Sequence, residues 1–135
     1  MFEPRIPFEK TFDALYGLEI VEATDEMVRA QVKVRDEVKQ PMGLVHGGVL
    51  ASIAESITST ATAMAVFSDG KAAQGLANQT SFLRPILDGY IHATARRRHK
   101  GRTTWVWEVD ITDDQDRLCA LVRMTVAVRD MPAPT

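Results

Sequence analysis

The sequence predicts an α+β fold, a curved antiparallel sheet wrapped around one long central helix. Three observations carry this expectation. Apart from Glu55, residues 47 to 67 form one run of small, apolar and hydroxylic side chains with no proline. Stretches on both sides of that run alternate apolar and polar residues. The turn signals between them are short, which suits antiparallel neighbours rather than parallel strands joined by crossover helices. At 135 residues the chain suits one domain, 1–135, with its own core.

Each element can be justified in order. Phe8 to Leu15 reads as a short helix with Phe12, Leu15 and Tyr16 as its apolar contacts. Gly17 to Glu22 reads as a strand, linked by Ala23-Thr24-Asp25-Glu26 to a second strand. From Met27 to Val34 the alternation is clean: Val28, Ala30, Val32 and Val34 on one face, Arg29, Gln31 and Lys33 on the other. Residues 35 to 43 read as a polar loop punctuated by Pro41 and Gly43.

The central helix follows from about Gly47 to Phe67. Val49, Ile53, Ile57 and Met64 lie near one stripe, with Leu50, Ala54, Ala61 and Ala65 beside it. So many small residues leave little of this helix built for open water. Gly70 is its candidate left-handed cap. Ala72 to Leu83 then reads as a long strand with a bulge at Gly75. Asp88-Gly89, Lys100-Gly101 and Asp113 to Asp116 are turn signals. They separate strands at 90–98, 103–112 and 118–128. The last strand puts Leu118, Ala120, Val122, Met124, Val126 and Val128 on one face. Residues 131–135 read as a frayed tail.

Composition narrows the function classes. A net charge of −2 does not suggest a nucleic-acid partner. One cysteine, Cys119, excludes an internal disulfide, and no Cys/His spacing suits zinc, so no metal is expected. The N-terminus has charges at Glu3, Arg5, Glu9 and Lys10 and no apolar core of a signal peptide. Residues 47–68 approach the length of a membrane span, but seven Ser/Thr and a central Glu argue against a membrane. A cytoplasmic location is expected.

Glu55 is the only charged residue between Gly47 and Ser68. A carboxylate packed in such surroundings loses its water shell, at a cost of several kcal/mol unless partners restore the contacts. Chains that keep such a group often use it for chemistry. His46-Gly47-Gly48 stands just upstream, and two glycines at a helix start leave backbone N–H groups approachable. A carboxylate beside such donors can attack a carbonyl carbon, or activate water, while the N–H groups hold the carbonyl oxygen. The bland alternative is a structural Glu55 bonded to neighbouring hydroxyls.

The block Gln40-Pro41-Met42-Gly43-Leu44-Val45-His46-Gly47-Gly48, then Ala54-Glu55, resembles a hotdog-fold acyl-CoA thioesterase. Asn78-Gln79-Thr80-Ser81-Phe82-Leu83-Arg84-Pro85 and Gly101-Arg102-Thr103-Thr104-Trp105 strengthen the likeness, which runs from about Gly17 to Arg129. Within the fold the chain is most similar to the phenylacetate-pathway-like (PaaI-like) branch. There it is nearest the 4-hydroxybenzoyl-CoA thioesterases with the acid on the central helix.

The resemblance implies hydrolysis of an acyl-CoA, favouring aryl or phenylacetyl-type groups, with CoA part of the substrate and no cofactor. It implies Glu55 as nucleophile or general base, Gly47 N–H as the donor to the thioester carbonyl, and Gln40 placing substrate or water. Ser59, one turn after the acid, would assist. Gly48, Asn78, Arg84, Arg102 and Thr103 would contact substrate or its CoA part. It implies sites at a subunit interface in dimers or dimers of dimers. The apolar area left over by six strands and one helix also suggests self-association.

Other residues carry two readings. His46 could be a general base or could hold its loop by hydrogen bonds. Asn78 could orient a helix end or substrate, or satisfy a strand bulge. Arg96 to Arg102 could meet CoA phosphates or form a solvated hairpin, since alternation splits the run across two faces. Trp105 and Trp107 suit core or interface better than substrate stacking, and Cys119 suits a strand without chemistry. Two other function classes share the layout. One is a hotdog dehydratase or hydratase. The other is a non-catalytic acyl-CoA-binding protein, which would want an output domain.

Overall fold

A computed structural model describes residues 3–132 of the chain. Six strands form one antiparallel sheet in the order β1-β2-β4-β5-β6-β3. They are β1 (Glu19–Ala23), β2 (Met27–Lys33), β3 (Lys71–Phe82), β4 (Tyr90–Lys100), β5 (Thr104–Thr112) and β6 (Leu118–Asp130). One long helix, α2 (Gly47–Val66), lies on the sheet, chiefly against β3 and β6. The helix joins β2 to β3, so the chain crosses from one edge region of the sheet to the far edge.

Strand periodicity positions the core. Val28, Ala30 and Val32 of β2 point inward, as do Trp105, Trp107, Val109 and Ile111 of β5 and Val122, Met124 and Val126 of β6. Ile53 and Ile57 of α2 meet them and are fully buried. The helix has the length and mean hydropathy of a membrane span, but here its apolar stripe is spent on a sheet. Two of its buried hydroxyls are satisfied locally: Thr58 Oγ1 donates to Ala54 O at 2.8 Å and Thr62 Oγ1 to Thr58 O at 2.8 Å. Trp107 Nε1 donates to Thr62 Oγ1 at 3.0 Å, pinning β5 to the helix. Both tryptophans are core residues, as their alternation predicts.

Several expectations need correction. The segment expected to be one helix over 8–15 is a 3-10 turn, Phe8–Lys10, then a five-residue helix, α1 (Phe12–Tyr16). Thr11 is extended between them (φ −94°, ψ 166°) and interrupts the ladder. Phe12 and Leu15 are 60% and 72% exposed, and only Tyr16 packs inward. Gly17 takes a left-handed conformation to cap α1 (φ 86°), so β1 starts at Glu19 rather than at residue 17. Met64 is 61% exposed and Leu118 40%, so neither belongs to the buried stripe expected of it. Within the loop of residues 35–43 a 3-10 turn, Asp36–Val38, buries Val38.

The remaining limits hold within a few residues. Gly70 is left-handed, though after a terminal 3-10 turn, Phe67–Asp69. The bulge in β3 falls between Gly75 and Ala77. The tail expected at residues 131–135 lies partly outside the described residues, since 133–135 are not described.

Candidate active site

His46 caps α2. Its backbone is extended, and its Nδ1 accepts the Gly48 N–H at 2.8 Å. This places the proton of the neutral ring on Nε2. The expectation of two bare glycine amides is therefore half right. Gly48 N–H is taken by the imidazole, whereas Gly47 N–H meets no acceptor among the described residues. Gly47 is closely covered: a Cβ there would stand 2.8 Å from Phe82 Cε1.

Glu55 is exposed rather than packed in the core. Counting helical steps explains this. Ile53, Ala54, Ile57 and Thr58 take the sheet-facing side, and Glu55 falls beyond it. It lines an open cleft with Ala51, Ser52, Asn78, Thr80 and Phe82. Ser59, one turn on, has its Oγ buried with no hydrogen-bond partner among the described residues. Such a hydroxyl needs a reason, because an unmet buried polar group costs about 1–3 kcal/mol.

Asn78 holds the helix to β3. Its Nδ2 donates to Ala51 O at 2.9 Å, and its Oδ1 accepts from Thr80 Oγ1 at 2.7 Å. Of its two readings, the helix-orienting one is what the structure shows. Asn78, Thr80 and Phe82 follow one another at strand period 2 and line the same cleft. Phe82 also lines a second cleft, with Gln40, Gly47, Leu50, Leu83 and Arg84. Thr80 and Phe82 were not singled out from the sequence, although counting by twos from Asn78 reaches both.

The structure does not bring every expected residue together. Gly47 and Glu55 are eight residues apart on one helix, so their backbones are separated by about 12 Å along its axis. They open onto two clefts that share Phe82. Within one chain the two groups therefore face different clefts. Gln40 bends back, its Oε1 accepting the Met42 N–H, and does not reach Glu55's cleft.

Arg84 shares the cleft of Gly47. Arg102 and Thr103 lie at the other end of the sheet: Thr104 pairs with Ala127, while Phe82 pairs with Ala120. That is a separation of about 20 Å along β6.

Part of the basic run is engaged elsewhere. Arg97 Nη1 sits 3.3 Å from Asp25 Oδ2 and its guanidinium lies 5.0 Å over the Trp105 ring. Arg98 faces Glu108 at 3.6 Å. Cys119 is buried, which pushes its thiol pKa up and leaves it inert. Among the described residues no cluster of His, Cys, Asp and Glu could hold a metal ion.

This geometry coincides with clear kinship. The pattern of the thioesterase superfamily matches residues 42–120. A Mycobacterium tuberculosis protein described as a candidate esterase is 40% identical over 111 residues, covering 81% of this chain and 79% of that protein. A 1,4-dihydroxy-2-naphthoyl-CoA hydrolase of Listeria monocytogenes is 35% identical over 113 residues, covering 84% of this chain and 91% of that enzyme. The solved structure of a Pseudomonas aeruginosa thioesterase variant superposes with a TM-score of 0.87 at 31% identity, over 91% of this chain and 88% of that one. With a six-stranded antiparallel sheet on one long helix, and with these relatives, the chain belongs to the thioesterase superfamily and is a thioester hydrolase of the hotdog fold.

Proposed function

We propose that the protein hydrolyses an acyl-CoA of aryl or phenylacetyl type to the free acid and CoA. The observation that carries this is Glu55. An otherwise apolar helix presents one carboxylate to an open cleft, with an unpartnered hydroxyl one turn away. The aromatic acyl class is supported by the Listeria relative, whose name specifies a naphthoyl-CoA substrate. It also suits membership of the phenylacetate-pathway-like branch, near the 4-hydroxybenzoyl-CoA thioesterases. No cofactor or metal takes part, and the setting is cytoplasmic.

Hydrolysis adds water across the carbonyl carbon–sulfur bond. Negative charge grows on the carbonyl oxygen and is met by Gly47 N–H, a donor type worth about 3–4 kcal/mol in the transition state. Glu55 either takes the proton of the attacking water or attacks the carbon itself, forming an anhydride that water then opens. The C–S bond breaks, and CoA leaves as a thiolate that takes up a proton.

On this reading a second copy of the chain bridges the separation of Gly47 from Glu55. A two-fold partner whose central helix runs antiparallel would set its own Gly47 against this Glu55. β3 offers the edge for such pairing, with Leu76 and Phe82 exposed along it at 54% and 59%. His46 and Gln40 then position the helix start and its loop, Gly48 completes the cap, and Asn78 fixes the helix against β3. Arg84 meets the CoA end within the cleft of Gly47, and Arg102 and Thr103 serve from the partner copy.

A panel of aryl-, phenylacetyl- and medium-chain acyl-CoA thioesters, followed by thiol release, tests the proposal. We expect the highest kcat/KM for an aromatic acyl group. Conversion with CoA retained would point to a hydratase. Tight binding without conversion would point to an acyl-CoA-binding protein.

A further inference from the structure

Strand β3 carries polar side chains where its neighbour β6 carries core. Val122 and Met124 of β6 are fully buried, and their register partners on β3 are Thr80 and Asn78. Register partners share a face of the sheet, so Thr80 and Asn78 stand on the side where α2 lies. Asparagine is depleted in strands and valine is favoured, so the fold alone would not choose Asn78.

The hydrogen bonds of this pair have one possible polarity. Ala51 O is a carbonyl and can only accept, so Asn78 turns its amide nitrogen to it, at 2.9 Å. Asn78 Oδ1 then faces Thr80 Oγ1 at 2.7 Å, and the proton between these two oxygens must come from the hydroxyl. Thr80 thereby decides which way the Asn78 amide points. In helix α2, Ala51 O also accepts the N–H of Glu55, four residues on, and a carbonyl oxygen has lone pairs for both. The relay from Thr80 therefore ends on the peptide group that holds the backbone of Glu55.

We infer that Thr80 is a positioning residue for the hydrolysis: through Asn78 it holds the helical turn that carries Glu55 at a set distance from β3. The inference rests on the reading of Glu55 given above and adds the device that aims the carboxylate. Thr80, Asn78 and Glu55 line one cleft, so slack in this turn is felt where the carboxylate works. A misplacement of about 1 Å at a reacting group can cost about 100-fold in rate.

The test is steady-state kinetics of Thr80→Val, Thr80→Ser, Asn78→Leu, Glu55→Ala and the double variant of Thr80→Val with Glu55→Ala. One aromatic acyl-CoA serves for all, with melting curves and sedimentation for each. Valine keeps the shape of threonine and removes the donor. Thr80→Val should lower kcat about 10-fold, with KM and the affinity for a non-hydrolysable thioether analogue unchanged. Thr80→Ser keeps the hydroxyl and should keep most of the parent kcat. Asn78→Leu should lose at least as much kcat as Thr80→Val. Added to Glu55→Ala, Thr80→Val should slow the residual rate no further, because the hydroxyl acts through that carboxylate.

Parent kcat in Thr80→Val would overturn the inference. A raised KM or weakened analogue binding would overturn it too, by making Thr80 a substrate contact. So would a Thr80→Ser variant as slow as Thr80→Val, or losses that multiply in the double variant. If Thr80→Val fails to fold or assemble, Thr80→Ala and Asn78→Leu decide, and parent kcat in either overturns the inference. An inactive Glu55→Ala beside a fully active Thr80→Val sinks this inference alone. An active Glu55→Ala sinks the reading beneath it.

Discussion

His46 and Glu55 show how single residues reveal themselves, and where they mislead. The His-Gly-Gly triplet was legible as a helix start, and the imidazole indeed caps it through Gly48 N–H. A capping role predicts that His46→Ala lowers stability by about 1 kcal/mol in urea denaturation, and that His46→Asn largely restores it. Turnover should fall less than tenfold (about one factor of ten, equivalent to 1.4 kcal/mol) in both. An unchanged unfolding midpoint with activity abolished would instead make His46 a base. Glu55 was legible because it is a lone charge on an apolar helix, but not for the reason of burial. Its helical phase carries it past the sheet-facing side into an open cleft. Position on a helix is read from spacing; whether the facing surface is covered depends on packing that spacing does not contain.

At the scale of elements, period-2 alternation made β2, β5 and β6 legible nearly to their ends, since one face of each is buried. Strand β3 is different: it is an edge strand, mostly exposed, and its pattern reports the site rather than the core. The start of helix α1 is not legible in the sequence, because Thr11, extended, divides a segment whose side chains look continuous.

One bond between elements is directly testable. Trp107→Phe removes the indole donor to Thr62 and should cost about 1–2 kcal/mol, read from the unfolding midpoint. No loss there would mean that the bond contributes nothing.

The β5–β6 turn gives a pH signature. The backbone N–H of Arg117, then its guanidinium and the Gln115 N–H, hold the Asp113 carboxyl below the usual carboxylate range. A depressed pKa contributes stability that is complete above the unfolded value and lost as pH falls through the folded one. Asp113→Asn should therefore lower the melting temperature above about pH 5, and the difference should shrink below about pH 4. A difference that grows on acidification would contradict this assignment.

At the scale of the whole molecule, the residues themselves name the parts of the site, while their meeting at a subunit interface is implied only by the family resemblance. Gly47 and Glu55 lie on one helix, and no folding of a single chain shortens the distance between them. On the proposed reading, their convergence belongs to an assembly. Sedimentation at micromolar concentration should give a dimer or larger, and a clean monomer would contradict it. Mixed assemblies test the shared site itself. Gly47→Pro removes the N–H donor, His46 already has the extended backbone that precedes proline (φ −65°, ψ 130°), and the Phe82 ring, which a Cβ would meet at 2.8 Å, must turn aside. Homomers of Gly47→Pro and of Glu55→Ala should each be inactive. Random pairing of the two chains should restore about a quarter of the parent activity, since half the dimers are hybrids with one intact site of two. No recovery would place both groups in one chain's site or outside the chemistry.

The most direct measurement is the turnover of Glu55→Gln on an aromatic acyl-CoA, with its melting temperature and sedimentation recorded alongside. A fall in kcat of about 1,000-fold, in a protein that melts and assembles like the parent, is the result expected if this carboxylate handles the hydrolytic step. Turnover close to that of the parent would contradict it.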